Sequence, residues 1–265
     1  MMMRLSLKDK LAQDAKVYGI FNSIPNPLVI EIIAASGYDF VIIDTEHAAI
    51  NDETLEHLIR AAEAAQITPI VRVTQVIDRD IIKVLDMGAR GIIIPHVKDK
   101  ATVEHIVELS RYYPQGMRSL NGGRMAKFGE IPLTDYMANA NDKIIVMAMI
   151  EDQEGISAIE DIVQVEGLDM IIEGAADLSQ SFGMPWETSS EVVQSALRYM
   201  HDVTSDYNKH FCALPRNKEQ QDIWAQRGVN TFVLGDDRGK LYRNLKSELT
   251  SFKGGAERAT NIRQN

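Results

Sequence analysis

The chain alternates eight times between a short run of branched aliphatic residues and a longer amphipathic stretch. The short runs are continuously apolar, as is typical of parallel strands whose two faces are both buried. Eight strand–helix units without a low-complexity linker predict an α/β fold, a single closed (β/α)₈ TIM barrel. The predicted strands span 17–23, 39–44, 69–73, 91–95, 144–151, 168–173, 210–215 and 230–234.

The stretches between the strands have the period of amphipathic helices. In the first of them, Leu55, Leu58 and Ile59 fall on one stripe, and acidic residues occupy the first turn, where the helix dipole favours them. Gly88 and Gly228 follow two other helical patterns at the position where glycine commonly ends a helix. The predicted helices include 52–66, 78–87, 99–112, 153–163 and 217–227.

Length and composition suit one enzyme-sized domain. The 265 residues are 45% hydrophobic and 25% charged, which fits a single domain with a barrel over about 17–250 and a flexible polar tail over 253–265. The net charge of −10 argues against nucleic acid or an anionic membrane as a partner. Cys212 is the single cysteine and falls in a predicted strand, so it is expected in the core. With no secretory signal or membrane span in the sequence, we expect a cytoplasmic protein.

Charged side chains come at or directly after the ends of four predicted strands. Asp44 and His47 follow the second strand, Arg72 ends the third, Glu151 ends the fifth and Asp177 follows the sixth. The carboxyl ends of the strands of a TIM barrel share one face, which holds the active site. We therefore expect these residues to form one site, although they are far apart in the chain.

The residue types at these positions suggest roles. His47 can transfer protons near neutral pH, with Asp44 or a neighbouring glutamate to orient it. Arg72 can clamp a substrate carboxylate or a developing oxyanion, or it can form an internal salt bridge. Glu151 and Asp177 can hold a hard divalent ion such as Mg²⁺ or Ca²⁺, although structural ion pairs leave the same pattern.

Three further residues lie near the predicted site. Glu173 would add a third acid, His96 follows the fourth strand and could line the pocket, and Arg216 follows the seventh strand as a second anion contact. No lysine stands at a predicted carboxyl strand end, which disfavours a Schiff-base mechanism.

Residues 113–131 break the rhythm of strands and helices. The segment is rich in glycine and basic residues and has no clear period, and long irregular loops in compact domains are usually functional or mobile. We interpret it as an elongated loop at the catalytic face, with an oligomer contact as an equal alternative. Its side chains Arg118, Arg124 and Lys127 could meet the phosphates of a coenzyme or could simply be solvated.

Several segments together resemble the HpcH/HpaI family of class II, metal-dependent 2-keto-acid aldolases, over about residues 17–250. They are FVIIDTEHAAIN, VRV, GIIIPHV, YYPQGMRS, AMIE and GAADLSQSFG. The resemblance implies that His47 is an acid/base held by Asp44, that Arg72 binds keto-acid oxygens, and that Glu151 and Asp177 bind a metal and substrate. It also implies a homo-oligomer, a hexamer in which subunits exchange C-terminal helices.

The chain departs from the aldolase pattern inside the expected pocket. Met149 stands where the aldolases have glutamine, Ser119 stands where they have glycine, and Ala175 stands where they have proline. Longer strings, among them FNSIPNPLVIEIIAAS and LGDDRGK, resemble a branch of the family, the citrate synthases of staphyloferrin B-type siderophore biosynthesis. We expect Ala176 and Arg216 to contact substrate as well.

Three functions stay open. The first is a citrate synthase that condenses oxaloacetate with acetyl-CoA and supplies a siderophore pathway. The second is a metal-dependent aldolase that acts on a 4-hydroxy-2-oxo acid. The third is a non-catalytic barrel that binds a keto acid or a metal ion. A requirement for coenzyme A separates the first function from the second.

Overall fold

The computed structural model describes residues 6–262, with the side chains of residues 6–253. Eight parallel strands pair in chain order, and the pairing of β8 with β1 closes the barrel. The predicted (β/α)₈ fold is confirmed. The strands are β1 (Val17–Asn22), β2 (Phe40–Asp44), β3 (Thr68–Arg72), β4 (Gly91–Ile94), β5 (Ile145–Ile150), β6 (Met170–Glu173), β7 (His210–Ala213) and β8 (Thr231–Asp236).

A helix precedes the first strand, and helices follow every strand. The helices are α1 (Leu7–Ala12), α2 (Pro27–Ala35), α3 (Asp52–Ala64), α4 (Asp78–Asp86), α5 (Lys100–Ser110), α6 (Leu133–Lys143), α7 (Gln153–Ser157), α8 (Ile159–Ile162), α9 (Ala175–Ser181), α10 (Glu191–Asp206), α11 (Lys218–Gln226) and α12 (Asp237–Ile262). Gly88 and Gly228 follow helices with φ of +108° and +90°, so the predicted helix ends are confirmed.

Successive side chains of each strand point to opposite faces of the barrel wall. In β2, Phe40 and Ile42 belong to the apolar cluster that fills the barrel, whereas Val41 and Ile43 pack in the larger cluster beneath the helices. Asp44 has the same parity as Ile42, so its side chain points into the barrel. Alternation along the strand therefore decides which polar residues at strand ends reach the interior.

The interior of the barrel is packed. Leu7 and Leu11 of α1 join the interior cluster at the amino end, and Cys212 is buried in the same cluster, as predicted for a core residue. Gly19 leaves room for a neighbouring ring, because a Cβ there would come within 2.2 Å of Phe40. Polar chemistry is consequently confined to the carboxyl-terminal face.

The predicted position of residues 113–131 at the catalytic face is wrong. Arg118 donates a 2.6 Å hydrogen bond to Asp86, the last residue of α4, and Arg124 contacts Glu63 near the end of α3. Those helix ends lead into the amino ends of strands. The segment joins α5 to α6, and α5 ends beside the amino end of β5, so the segment begins at the face opposite the active site.

The C-terminal segment is helical in the described range. The tail predicted from Lys253 continues α12 through Ile262, and residues 263–265 lie outside the described part of the chain. Across residues 6–262, no helix is long and apolar enough to cross a membrane.

Candidate active site

Arg72 and Asp44 form the centre of the polar layer above the apolar interior. They are register partners on β3 and β2, and Arg72 Nε and Nη2 donate to the two oxygens of Asp44 at 3.0 and 2.8 Å. The guanidinium lies over the ring of Phe21, 4.7 Å from its centroid. Two parallel bonds and a ring beneath fix the plane of the guanidinium.

Glu46 is the second carboxylate at Arg72. Its Oε2 lies 3.1 Å from Arg72 Nη1, as an ion pair rather than an aligned hydrogen bond, and this buried oxygen has no hydrogen-bond partner among the described residues. An unsatisfied buried oxygen is costly unless a ligand or water completes it. Glu46 is the neighbouring glutamate that the sequence offers as a partner of His47, and the structure brings it to the centre of the site.

Glu151 points into the barrel just beyond β5 and is 2% exposed. Its Oε1 accepts a 2.8 Å hydrogen bond from the backbone N–H of His96 and lies 3.2 Å from His96 Nδ1. Burial, with a smaller contribution from the charges of Asp177 and Glu46, raises the pKa of Glu151 to about 7, against the lowering effect of that N–H and of His96. The carboxyl group is thus poised to exchange a proton near neutral pH.

Gly174 makes room for Glu151. The backbone N–H of Gly174 donates to the carbonyl of Ile150 at 3.1 Å, beside the glutamate. A Cβ at Gly174 would come within 2.4 Å of the Cβ of Glu151 and 2.5 Å of its Oε2. Only glycine lets the wall approach this closely, so residue 174 shapes the pocket without contributing a side chain.

Asp177 and Ala176 lie in the first turn of α9, directly after Gly174. Asp177 is exposed and close enough to Glu151 for its charge to raise the pKa of that carboxyl. Within the described residues, no group of three or more His, Cys, Asp or Glu side chains is arranged to hold a metal ion. Glu151 and Asp177 could therefore hold a divalent ion only if oxygens of substrate or water completed its coordination.

The predicted pairing of His47 with Asp44 is not formed. Both oxygens of Asp44 bind Arg72, and Asp44 reaches His47 only at the backbone N–H, at 3.3 Å. The imidazole is 57% exposed, and its Nε2 lies 3.9 Å from Glu46 Oε2. Glu46 rather than Asp44 is therefore the carboxylate that faces the ring, because both oxygens of Asp44 already accept hydrogen bonds from Arg72.

His96, expected from the sequence only to line the pocket, lies at the centre of the site. It has a left-handed backbone, with φ of +52°, a conformation that few residues other than glycine adopt but that histidine adopts more often than most. The ring lies between two carboxylates, with Nδ1 3.2 Å from Glu151 and Nε2 3.4 Å from Glu46. In the sequence, only the position of His96 just after β4 indicates that it belongs to the site. Its place between the two carboxylates depends on the left-handed backbone turn at His96.

Glu173 does not join the site as a third acid. It lies on the outer face of β6, in phase with the outward Ile171, and its Oε1 accepts a 2.7 Å hydrogen bond from the backbone of Leu214. Burial raises the pKa of Glu173 to about 7, against this hydrogen bond and the charge of Arg216. The alternation of side chains along each strand thus places Glu151 inside the barrel and Glu173 outside it, although both acids stand at strand ends in the sequence.

Of the basic residues, Arg118 lies away from the predicted face, whereas Arg216 lies on the catalytic face as predicted. Arg118 is buried between Asp86 and the ring of Tyr112, so it is not available to a coenzyme phosphate. Arg216 is exposed on the catalytic face, after β7, with its guanidinium 5.2 Å from the ring centroid of Trp186. Neither arginine contacts the cluster around Glu151 in the described structure.

Comparison with known proteins places this site in a family. The family model of HpcH/HpaI aldolase/citrate lyase matches residues 17–241. The crystal structure of citrate synthase SbnG is 65% identical, with a TM-score of 0.90, and the match covers 96% of this chain and 100% of that one.

Curated relatives include two aldolases. Hydroxypyruvate/pyruvate aldolase of Delftia acidovorans is 29% identical to this chain, and the match covers 93% of this chain and 91% of the length of that aldolase. The 5-keto-4-deoxy-D-glucarate aldolase of Shigella boydii is 28% identical over 91% of this chain and 93% of its own. With the closed barrel and the match over most of its length, the chain belongs to the HpcH/HpaI aldolase/citrate lyase family.

Proposed function

We propose that this protein condenses oxaloacetate with acetyl-CoA to give citrate and free coenzyme A. The observation that carries the proposal is the 65% identity to citrate synthase SbnG over nearly the whole chain. The site supplies what the reaction requires: a carboxyl group with a pKa of about 7 in Glu151 and an oriented cation in Arg72. The resemblance of strings such as FNSIPNPLVIEIIAAS to the siderophore branch of the family is the ground for our proposal that the citrate supplies a siderophore pathway.

The chemistry assigns a task to each group. The Glu151 carboxylate removes a proton from the methyl group of the thioester, and the resulting enolate carbon attacks the keto carbon of oxaloacetate. Arg72 donates its remaining N–H groups to the keto oxygen and a substrate carboxylate, which stabilises the alkoxide as the bond forms. Asp44 holds the guanidinium plane. The alkoxide takes up the proton held by Glu151, and water then cleaves the thioester to give the new carboxyl group and the thiol of coenzyme A.

The reaction releases a proton that must leave a buried site. Cleavage of the thioester gives a carboxylic acid that ionises, so one proton passes to solvent in each turnover. Glu151 Oε1 lies 3.2 Å from His96 Nδ1, His96 Nε2 lies 3.4 Å from Glu46 Oε1, and Glu46 Oε2 lies 3.9 Å from His47 Nε2. We infer that protons leave along this series, with water bridging the longer gaps, and that exposed His47 is its outer end.

Glu151 and Asp177 are the residues that would hold a divalent ion in this site. If Glu151 and Asp177 bound Mg²⁺ or Ca²⁺ together with substrate oxygens, the ion would polarise the keto carbonyl of oxaloacetate. Glu151 can act as the base only while it is not bound to such an ion, because a cation on the carboxylate favours its charged form. Met149, whose sulfur lies 3.8 Å from Arg72 Nη1, supplies no hard oxygen ligand here.

The aldolase function is the second candidate, because the curated relatives at 28–29% identity are aldolases. The decisive experiment incubates purified protein with oxaloacetate and acetyl-CoA, with and without chelator, and measures free thiol and citrate. A synthase gives the two products in equal amount, and only when both substrates are present. If the protein instead joins pyruvate to an aldehyde and ignores acetyl-CoA, the aldolase function is correct.

We also propose that the subunits exchange α12 in a homo-oligomer, as the family resemblance implies. The helix has 26 residues, and large apolar side chains are exposed along it. Such a stripe favours burial against another subunit. Sedimentation of the intact protein tests for the expected hexamer. The exposed side chains are Leu241, Tyr242, Leu245, Leu249 and Phe252.

A further inference from the structure

We propose that Trp186 and Arg216 bind the nucleotide end of the coenzyme A thioester at the rim of the catalytic face. The inference rests on the proposed synthase function, since an aldolase has no nucleotide to bind. The nucleotide of coenzyme A lies far from the reacting acetyl group, so it would bind outside the buried cluster around Glu151. Trp186 would stack on the purine ring and Arg216 would pair with a phosphate.

Both residues belong to loops that follow neighbouring strands. Trp186 lies after α9, in the connection that starts at the end of β6, and Arg216 lies three residues beyond β7. The backbone N–H of Trp186 donates to Ser179 Oγ at 2.9 Å, and that hydroxyl donates to the carbonyl of Ala176 at 2.6 Å. These bonds tie the tryptophan to the turn that presents Asp177 to the site.

The conformation of Trp186 is unfavourable for its residue type. It has φ of +73°, a left-handed backbone that strains a bulky side chain, and the residue is 74% exposed. A turn of this kind alone would favour glycine or asparagine. An indole held in such a conformation, with much of its surface in water, is available to stack on a ligand.

Arg216 supplies the charge. Among residues 6–253 it forms no ion pair within 4.0 Å, and its guanidinium centre lies 5.2 Å from the centroid of the indole. Cation–π contact uses the face of the guanidinium and leaves its N–H edges free for a phosphate. One side of the indole is covered by the arginine, and the other is available to a purine.

The other arginines considered for this role are already engaged. Arg118 pairs with Asp86 and Arg124 pairs with Glu63, both on the amino-terminal face. A thioester that reacts at Glu151 enters from the carboxyl-terminal face, so its nucleotide needs a cation there. Arg216 meets that requirement.

The test compares two thioesters, acetyl-CoA and S-acetyl-N-acetylcysteamine, which lacks the nucleotide. In Trp186→Ala and Arg216→Ala, we expect the ratio of kcat/KM for acetyl-CoA to kcat/KM for the short thioester to fall about 10-fold, as loss of one stacked base or one charged contact predicts. The KM for oxaloacetate should stay constant. Calorimetric titration with free coenzyme A should show the same weakening.

Phe128→Ala is the matched control. Phe128 is also an exposed aromatic residue with a left-handed backbone, at 82% exposure and φ of +56°, but it lies on the opposite face. Its ratio should equal that of the unmodified protein. A ratio unchanged in Trp186→Ala and Arg216→Ala, while the unmodified protein makes citrate, would overturn this inference alone. Absence of citrate from either thioester with the unmodified protein would instead overturn the proposed function.

Discussion

Arg72 and Asp44 face each other across neighbouring strands and share two hydrogen bonds of 3.0 and 2.8 Å inside the barrel mouth. Both are nearly buried, so each neutralises a charge that water cannot reach. Breaking such a pair by removing one member costs about 3–5 kcal/mol, because the other charge is left uncompensated. The arginine expected to bind substrate is therefore also part of the fold's stability.

Arg72→Ala should lower both activity and stability. We expect kcat/KM to fall by about 10² or more from loss of the charged clamp, and the free energy of unfolding to fall by a few kcal/mol. Denaturant unfolding and steady-state rates measure the two effects. The double variant Arg72→Ala/Asp44→Ala should regain stability but not activity. Near-normal turnover in the single variant would remove Arg72 from the mechanism.

Glu151→Gln should abolish proton transfer while preserving the shape of the site. We expect kcat to fall by about 10²–10⁴. In the unmodified protein, kcat/KM should rise with pH and reach half its maximum near the pKa of about 7, because the base must be ionised to accept a proton. A pH–rate profile with no inflection near neutrality would show that another group accepts the proton.

Glu46→Gln should slow the passage of protons between the site and solvent. The amide keeps the shape of the side chain but cannot accept and release a proton between His96 and His47. We expect a larger solvent deuterium isotope effect on kcat and partial restoration of the rate by added imidazole. His47→Gln, at the exposed end, should respond to imidazole in the same way. Lack of any response in both variants would contradict the proposed series.

Glu173→Gln should change the dependence of stability on pH rather than catalysis. The pKa of Glu173 is raised by burial to about 7 from an ordinary 4.5. A raised pKa contributes stability that is fully present below the ordinary value and is lost as pH rises through about 7. The variant should therefore be more stable than the unmodified protein at pH 8, by roughly 3 kcal/mol from the size of the shift. Unfolding curves at pH 5 and pH 8 measure the difference. Equal pH slopes in the two proteins would contradict the raised pKa.

Binding of Mg²⁺ should require the keto acid. Glu151 and Asp177 supply only two ligands, so substrate oxygens must complete the coordination of the ion. Calorimetry should detect Mg²⁺ binding in the presence of oxaloacetate, and Asp177→Asn should weaken it. Asp169→Asn, at the amino end of the barrel, is the control and should leave it unchanged. Tight Mg²⁺ binding without oxaloacetate would show that further protein ligands exist.

The sequence by itself determined the barrel and the face that carries the site. Continuous apolar runs alternate eight times with helical patterns, and a closed barrel of eight parallel strands buries all of those runs. Parallel strands bring their carboxyl ends to one face, so Asp44, Arg72, Glu151 and Asp177 could be grouped from the chain alone. Grouping residues in this way requires only the direction of the strands.

The tertiary structure decided which side chains face each other. Because both faces of each strand are buried, the sequence has no alternation to show that Glu151 points inward and Glu173 outward; register sets that. The pairing of Asp44 with Arg72 depends on the alignment of β2 with β3. Because Asp44 is engaged in that pair, Glu46 is the carboxylate that faces the ring of His47. The face occupied by residues 113–131 and the stacking of Arg216 on Trp186 depend on contacts between distant segments, which local sequence patterns do not encode.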